Sequence, residues 1–501
     1  MTLLHLTISD YIIIGLYIAI LGIISFLHRC KKVDTCEFLM AGRKLTLPLF
    51  IATLVSTFYG GIFGIAEFVA SFGLGAWLAQ GIFWYIVYFI FALFCAERVQ
   101  KMKIYTIADI LENHYGKPVA FCGGFFTYLM VNPAPYLFSL GLILQLFLDL
   151  TLWQAIILGT IITVFYTFIA GFRGVVYSDF IQCILMYSGF LVLFIMTIQY
   201  FGGFSFLKTH LSLLPGLEQH LTLTGGMSWG YLLVWAGMTC WIFVDPSFYQ
   251  RCSAAQSPKI AKKGIFFSIL LWATFDILSC STALYAVAGS NSAWFPLGIA
   301  TCGFSNNALT VGQCGILSIP NSAMGHIVLA DCVLSSPWKG FFLVAILSTI
   351  MSTADSYLFV ASMNISQDYY WRFYNKNATS QEMIKITRMG LLFTAFISCL
   401  LAVCLPSVVD LWYSLGTVGL SALIIPILYT MMTKNNEQKY THSALYSMLS
   451  GFITSFSWLC YGRYYGSYPF ECEPLYPGIF IAFVVFFSGI MIERCIKYYS
   501  K

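Results

Sequence analysis

The stretch Ala345–Tyr370, AILSTIMSTADSYLFVASMNISQDYY, decides how the rest of the chain is read. It is apolar enough for a membrane-buried helix, yet it is studded with small hydroxyl residues and carries one carboxylate, Asp355. On a helix Ser352, Thr353 and Ser356 fall within about one turn and turn their oxygens to one stripe. Thr349, one turn earlier, brings a backbone carbonyl to the same stripe. Oxygen-only clusters suit hard cations, because hydroxyls, carbonyls and carboxylates can replace a hydration shell. The competing use of Ser and Thr is structural: they bond back to their own helix or let two helices approach closely.

Composition fixes the class of protein. Of 501 residues 59% are hydrophobic and only 9% are charged, where soluble domains run near 25% charged. The chain is expected to be an all-α integral membrane protein, surrounded by lipid. Its first apolar segment, 11–26, is preceded by Asp10 and by no Lys or Arg, so it lacks the basic start of a cleaved signal and reads as a retained span. The 16 cysteines form no C-x-x-C pair, so neither a zinc site nor a disulfide framework is indicated. Cys302, Cys314, Cys332 and Cys472 fall in loops where an oxidising compartment would allow pairing. The seven histidines are scattered, no metalloprotease, esterase or phosphate-loop pattern occurs, and the reading is of a protein that is not an enzyme. The net charge of +5 follows from topology and is no nucleic-acid signal; no obligate protein partner is visible.

Thirteen segments are long enough to cross about 30 Å of hydrocarbon: 11–26, 47–68, 75–95, 118–146, 153–170, 176–200, 229–243, 265–287, 340–363, 389–404, 408–430, 443–460 and 476–492. With the N-terminus outside, all 26 Lys and Arg residues except Lys208, Lys339 and Arg463 fall in inner loops. The positive-inside rule then gives an N-out, C-in orientation. Five spans per half invert the second half relative to the first, as in transporters built from inverted repeats. The expected organisation is a flanking helix with an inner loop (1–46), a first five-helix repeat (47–200), an outer loop (201–228), a second five-helix repeat (229–431), and two further helices with a short inner tail (432–501). Segment two reads LVSTFYGGIFG, with Gly60, Gly61 and Gly64 at its centre. Glycine there either lets helices pack closely or frees backbone groups at mid-membrane. The repeat logic expects an unwound ion site at this place.

Four stretches resemble the sodium:solute symporter family. Phe38–Leu45, FLMAGRKL, resembles its F-x-x-A-G-R loop, and Gly171–Gln182, GFRGVVYSDFIQ, its G-G-x-x-x-V-x-x-T-D-x-I-Q signature. Tyr249–Gly264, YQRCSAAQSPKIAKKG, resembles the Q-R-x-x-A-A-K-S segment, and Ser352–Tyr370 resembles S-T-x-D-S with a trailing D-x-Y. The resemblance covers nearly the whole chain and implies the ten-helix inverted-repeat fold of the leucine transporter, with one flanking helix before it and two after. It implies Na+ as the coupling ion, in a principal site made by the backbone carbonyls of Ser56, Tyr59 and Thr349 and the hydroxyls of Ser352 and Thr353. Some members are thought to hold a second sodium ion nearer the cytoplasm; the matching positions are Asp179, Ser352, Asp355 and Ser356. Asp179 has an alternative use as a helix cap near the inner interface. Where family members often carry polar residues after the segment-two break, this chain has Ile62 and Phe63, so sugar-type or proline-type contacts do not transfer.

A solute pocket is expected between the halves at mid-membrane, with Gln80, Trp84, Asn132, Tyr136, Trp235, Thr239, Tyr413 and Thr417 as lining candidates. Asp276 lies near the middle of segment eight, where a carboxylate costs about 3 kcal/mol and calls for a partner or a water-filled path. It is the candidate proton or charge site. The charges visible inside the membrane, Glu67, Asp179, Asp276 and Asp355, are all acidic, which favours a neutral, zwitterionic or cationic organic solute. The expected function is sodium-coupled import of such a solute by alternating access, in a bacterial inner membrane. The alternatives are a proton-coupled carrier of the same fold and a membrane sensor acting with a separate partner.

Overall fold

A computed structural model describes residues 6–29, 34–213, 218–289, 321–404, 408–433 and 440–499. Cys302 and Cys314 lie outside the described residues; Cys332 Sγ lies 3.8 Å from the Tyr200 hydroxyl, and Cys472 is a free thiol. In hydrocarbon a backbone can satisfy its own polar groups only as a helix or a closed barrel, and this chain uses helices throughout the described spans. Among the described residues nine helices qualify as membrane spans by length and apolarity, or eleven when each of two bent pairs counts as one.

In chain order the principal helices are α1 (Ile8–Leu27), the bent pair α2 (Leu47–Thr57) and α3 (Ile62–Phe72), α4 (Gly75–Phe94), and the two halves α5 (Lys117–Met130) and α6 (Ala134–Leu148). Then come α7 (Leu152–Phe201), the bent pair α8 (Trp229–Phe243) and α9 (Pro246–Ala254), and α10 (Pro258–Gly289). The last are α11 (Trp338–Asn364), α12 (Ser380–Cys404), α13 (Val408–Met432), α14 (Thr441–Tyr465) and α15 (Leu475–Tyr499). Each of the thirteen segments expected from sequence falls in one of these helices or bent pairs. α7 accounts for two. Straight, its 50 residues would reach about 75 Å, but it turns at Gly171, whose φ of 66° and ψ of −167° are non-helical. A Cβ there would lie 2.6 Å from Cδ2 of Phe38, so glycine meets both the backbone angle and the space.

Burial separates core from rim. The apolar window of α11, extended through Tyr374, is wholly buried in protein, whereas those of α1 and α15 are 28% buried. The outer faces of α1 and α15 carry exposed Ile12, Leu16, Ile23, Phe480, Phe483 and Met491, the side chains a lipid-facing helix can leave uncovered. A helix with no lipid face that still carries Ser352, Thr353 and Asp355 must satisfy them within the protein.

Candidate functional site

The axis of the second span bends by 56° between α2 and α3. Residues 58–61 leave the helix, and the ends of the two half-helices free backbone groups. The break passes so close to α11 that a Cβ on Gly60 would lie 2.5 Å from the Thr353 side chain. One on Gly61 would lie 1.5 Å from the Trp412 ring. Glycine is required here for close approach.

Against this break α11 presents its hydroxyl stripe. Ser352 Oγ lies 3.0 Å from the Ser56 carbonyl oxygen and 3.1 Å from that of Thr349. Thr353 Oγ1 is 3.4 Å from the same Thr349 oxygen. Ser56, Thr349, Ser352 and Thr353 are all buried. The two readings of the stripe are therefore both realised: Ser352 bonds back to its own helix and also across to the broken one. The result is a buried all-oxygen cluster of two carbonyls and two hydroxyls, a donor set that fits a hard cation. Tyr59 serves two places. Its carbonyl accepts from Ile62 N at 3.1 Å inside the break, while its hydroxyl reaches to 2.7 Å from Asp276 Oδ1.

One turn toward α9 the second expected cluster is differently furnished. Arg251 of α9 is buried and its guanidinium enters between α2, α7 and α11. Its Nη2 donates to Thr57 Oγ1 and to Ser356 Oγ, each at 2.7 Å, and stands 3.6 Å from Asp179 Oδ2. Asp179 Oδ2 also accepts from Thr53 Oγ1 at 2.5 Å, and Asp355 Oδ2 accepts from Tyr166 at 2.9 Å. The sequence reading found no buried Arg or Lys. That is corrected: Arg251 and Arg372 are both buried, Arg251 beside Asp179, and Arg372 on Asp109 and Glu112 of another helix and on Asp368 of its own. A lone sequence hides such pairing because the partners lie up to 263 positions away.

Beside the break, and lined in part by its Tyr59 and Gly61, lies a cavity of about 150 Å³. Of the expected lining residues Gln80, Trp84, Tyr136 and Trp235 line it. Tyr413 lines a smaller adjoining cavity together with Gln80 and Trp235. Asn132, Thr239 and Thr417 do not line it. The Asn132 side chain accepts from Ala134 N at 3.0 Å and caps α6, while Thr239 and Thr417 bond back to their own helices at 2.7 Å. Asp276 does line it, with its Oδ2 held by the Tyr85 hydroxyl. Trp272, Trp412, Tyr85 and Tyr88 also line it, as do Phe58, Trp241 and Tyr357, and none of these was singled out from the sequence as a lining residue. In a chain that is 18% aromatic, an indole facing a cavity and one facing lipid read alike.

The sequence profile of the sodium:solute symporter family matches residues 38–451. The chain belongs to the sodium:solute symporter family. High-affinity choline transporter 1 of Drosophila melanogaster is 25% identical over 432 residues, covering 84% of this chain and 64% of that protein. The sodium/proline symporter of Salmonella typhimurium is 29% identical over 311 residues, 61% of this chain and 56% of that one. The matched stretches thus span between half and two thirds of these relatives. Among solved structures, a Na+-coupled sialic acid symporter in its substrate-bound outward-open state shares the fold, with a TM-score of 0.76 at 16% identity over 97% of both chains. Mhp1, a nucleobase-cation-symport-1 family transporter, has a TM-score of 0.51 at 11% identity, covering 92% of this chain and 95% of Mhp1. The family and its relatives are transporters, not enzymes, and sodium is the ion that their descriptions name.

Proposed function

We propose that this protein imports a small organic cation together with sodium by alternating access. The carrying observation is Ser352 of the buried helix α11 bridging to the carbonyl of Ser56 at the break between α2 and α3. Sodium bound among Ser56, Tyr59, Thr349, Ser352 and Thr353 ties the broken span to α11. It thereby favours one arrangement of the two halves over the other, which is what coupling requires. The distribution of Lys and Arg supports an N-terminus outside, and thirteen apolar segments allow a five-plus-five inverted repeat with one helix before it and two after. Each positive charge carried inward gains about 2.3 kcal/mol per 100 mV, more than a tenfold gradient.

The solute class follows from the cavity. Trp84, Trp235, Trp272, Trp412 and Tyr136 surround it, and Asp276 is the one carboxylate among its described lining residues. Aromatic faces attract ammonium groups, most strongly where water is excluded, and an aromatic cage is the recurrent site for quaternary ammonium. The chain's similarity to a choline transporter agrees with that chemistry. In proteoliposomes with an imposed inward sodium gradient, labelled choline or another small quaternary ammonium should accumulate. Neutral sugars and dicarboxylates should not. Accumulation driven by a pH gradient without sodium would favour proton coupling, the reading that Asp276 in the wall supports.

A further inference from the structure

We infer that the Tyr59 side chain is the link through which a solute in the cavity and sodium at the break strengthen each other's binding, with α10 as the element that carries it. The inference rests on the function proposed above and adds the residue that couples its two sites. Tyr59 is common to both: its carbonyl belongs to the proposed ion set, and the residue also lines the cavity. Two positive charges held at adjoining sites repel each other. An organic cation and sodium therefore bind cooperatively only if some part of the protein gains from holding both.

One face of α10 grips the break. Trp272 shares that face with Phe275 and Asp276, which follow it by three and four residues. The Tyr59 hydroxyl lies 2.7 Å from Asp276 Oδ1 and 2.8 Å from the Trp272 carbonyl oxygen. The Tyr59 ring packs edge-on to Phe275, with centroids 4.4 Å apart. The Trp272 indole reaches the end of α2, where its Nε1 donates to the Val55 carbonyl at 3.3 Å. Trp272 and Asp276 both line the cavity. The helix face that meets the solute thus holds the chain at Val55 and at Tyr59, on either side of the Ser56 carbonyl.

Residues 58–61 lie outside the helix, so the anchors of the Tyr59 side chain help to set where its carbonyl stands. A cation beside Asp276 fixes that carboxylate, and the carboxylate fixes the Tyr59 hydroxyl. The ion then meets a ligand already in position, and preorganisation raises affinity by sparing the cost of ordering. By linkage, sodium on the Tyr59 carbonyl readies Asp276 for the cation to the same extent. Tyr85 holds the other oxygen of Asp276 but belongs to α4, apart from the break, so it serves the solute alone. The Tyr59 hydroxyl is a positioning group that acts on both ligands.

The test is equilibrium binding of 22Na+ to the purified full-length protein in nanodiscs, with and without saturating choline, set beside choline binding with and without sodium. In the wild type choline should lower the half-saturating sodium concentration at least about fivefold, and sodium should lower that of choline by the same factor. Tyr59→Phe keeps the carbonyl and the ring and removes only the hydroxyl; both factors should fall to within about twofold of unity. Tyr85→Phe should keep the wild-type factor even where choline binds more weakly. A loss of stability alone lowers the amount of folded protein and leaves the factor as it was. A wild-type factor in Tyr59→Phe, or an equal loss in Tyr85→Phe, would overturn the inference and leave the proposed function standing. A wild type that binds no sodium, or no choline, would refute that function and the inference with it. If Tyr59→Phe does not fold, Trp272→Phe, which removes the indole hold on Val55, decides: a wild-type factor there overturns the inference.

Discussion

Ser352 stands 3.0 Å from a carbonyl on one helix and 3.1 Å from a carbonyl on its own, so its hydroxyl cannot be replaced without exposing two acceptors. Changing Ser352 and Thr353 together to Ala removes both side-chain oxygens of the cluster. Each lost hydrogen bond costs about 1 kcal/mol, and the larger consequence is for the ion. Sodium should no longer raise the variant's thermal stability, though the protein still folds and inserts. Asp276→Asn keeps the shape of the cavity wall and removes its charge. Uptake of a quaternary ammonium should fall at least about tenfold in affinity, a difference of about 1.4 kcal/mol, and the sodium response should survive. At this scale the sequence is legible where spacing carries the signal. Ser352, Thr353 and Ser356 announce themselves by falling within one turn of a helix otherwise apolar. Trp272 and Trp412 do not, because nothing local separates a cage indole from a packing one. Arg251 is legible as a basic residue in a family-like stretch, but its insertion among Thr53, Thr57, Asp179 and Ser356 is set by tertiary packing alone.

In the proposed function the broken span is the element on which both ligands depend. Gly60 faces both Thr353 and, at 2.7 Å, Tyr136 of the cavity wall, whereas Gly61 faces Trp412, so only a change at Gly61 is confined to the cavity. Gly60→Ala should weaken the sodium-dependent stabilisation by crowding the Thr353 hydroxyl. Gly61→Ala should force the Trp412 ring aside and weaken solute uptake while sodium still stabilises the protein. Thermal shifts in sodium and in potassium, set beside uptake, separate the two outcomes. The turn in α7 makes a different point. Gly171→Ala would place a side chain at φ 66°, a strain of about 1–2 kcal/mol, and against Phe38 as well. Lower thermal stability with an unchanged sodium dependence is expected. The break at Gly60–Gly61 and the start of the sixth segment after Gly171 are both readable in the sequence, because glycine at mid-membrane and a motif boundary mark them. The bend angle and the neighbours that require glycine are not.

At the level of the whole molecule, the order of apolar segments makes the all-helical architecture legible before any coordinate is known. Every expected segment has its helix, and the fold is shared with a sodium-coupled symporter at only 16% identity. Among the nine single-helix spans of the described residues, α11 with its extension to Tyr374 is the one buried along its whole apolar window, and polar residues concentrate there. A helix surrounded by protein can place hydroxyls and a carboxylate against partners, while one facing lipid cannot. The proposed function divides the labour between the aromatic-lined cavity, which would receive the solute, and the oxygen cluster at the break, which would link its binding to sodium.

The measurement that tests this account most directly is the melting temperature of the purified protein as sodium replaces potassium at constant ionic strength. Binding to the folded state alone must raise it. The account predicts a saturable, sodium-specific rise in the wild type that is lost in the Ser352→Ala/Thr353→Ala variant. An equal rise in both proteins, or none in either, would contradict it.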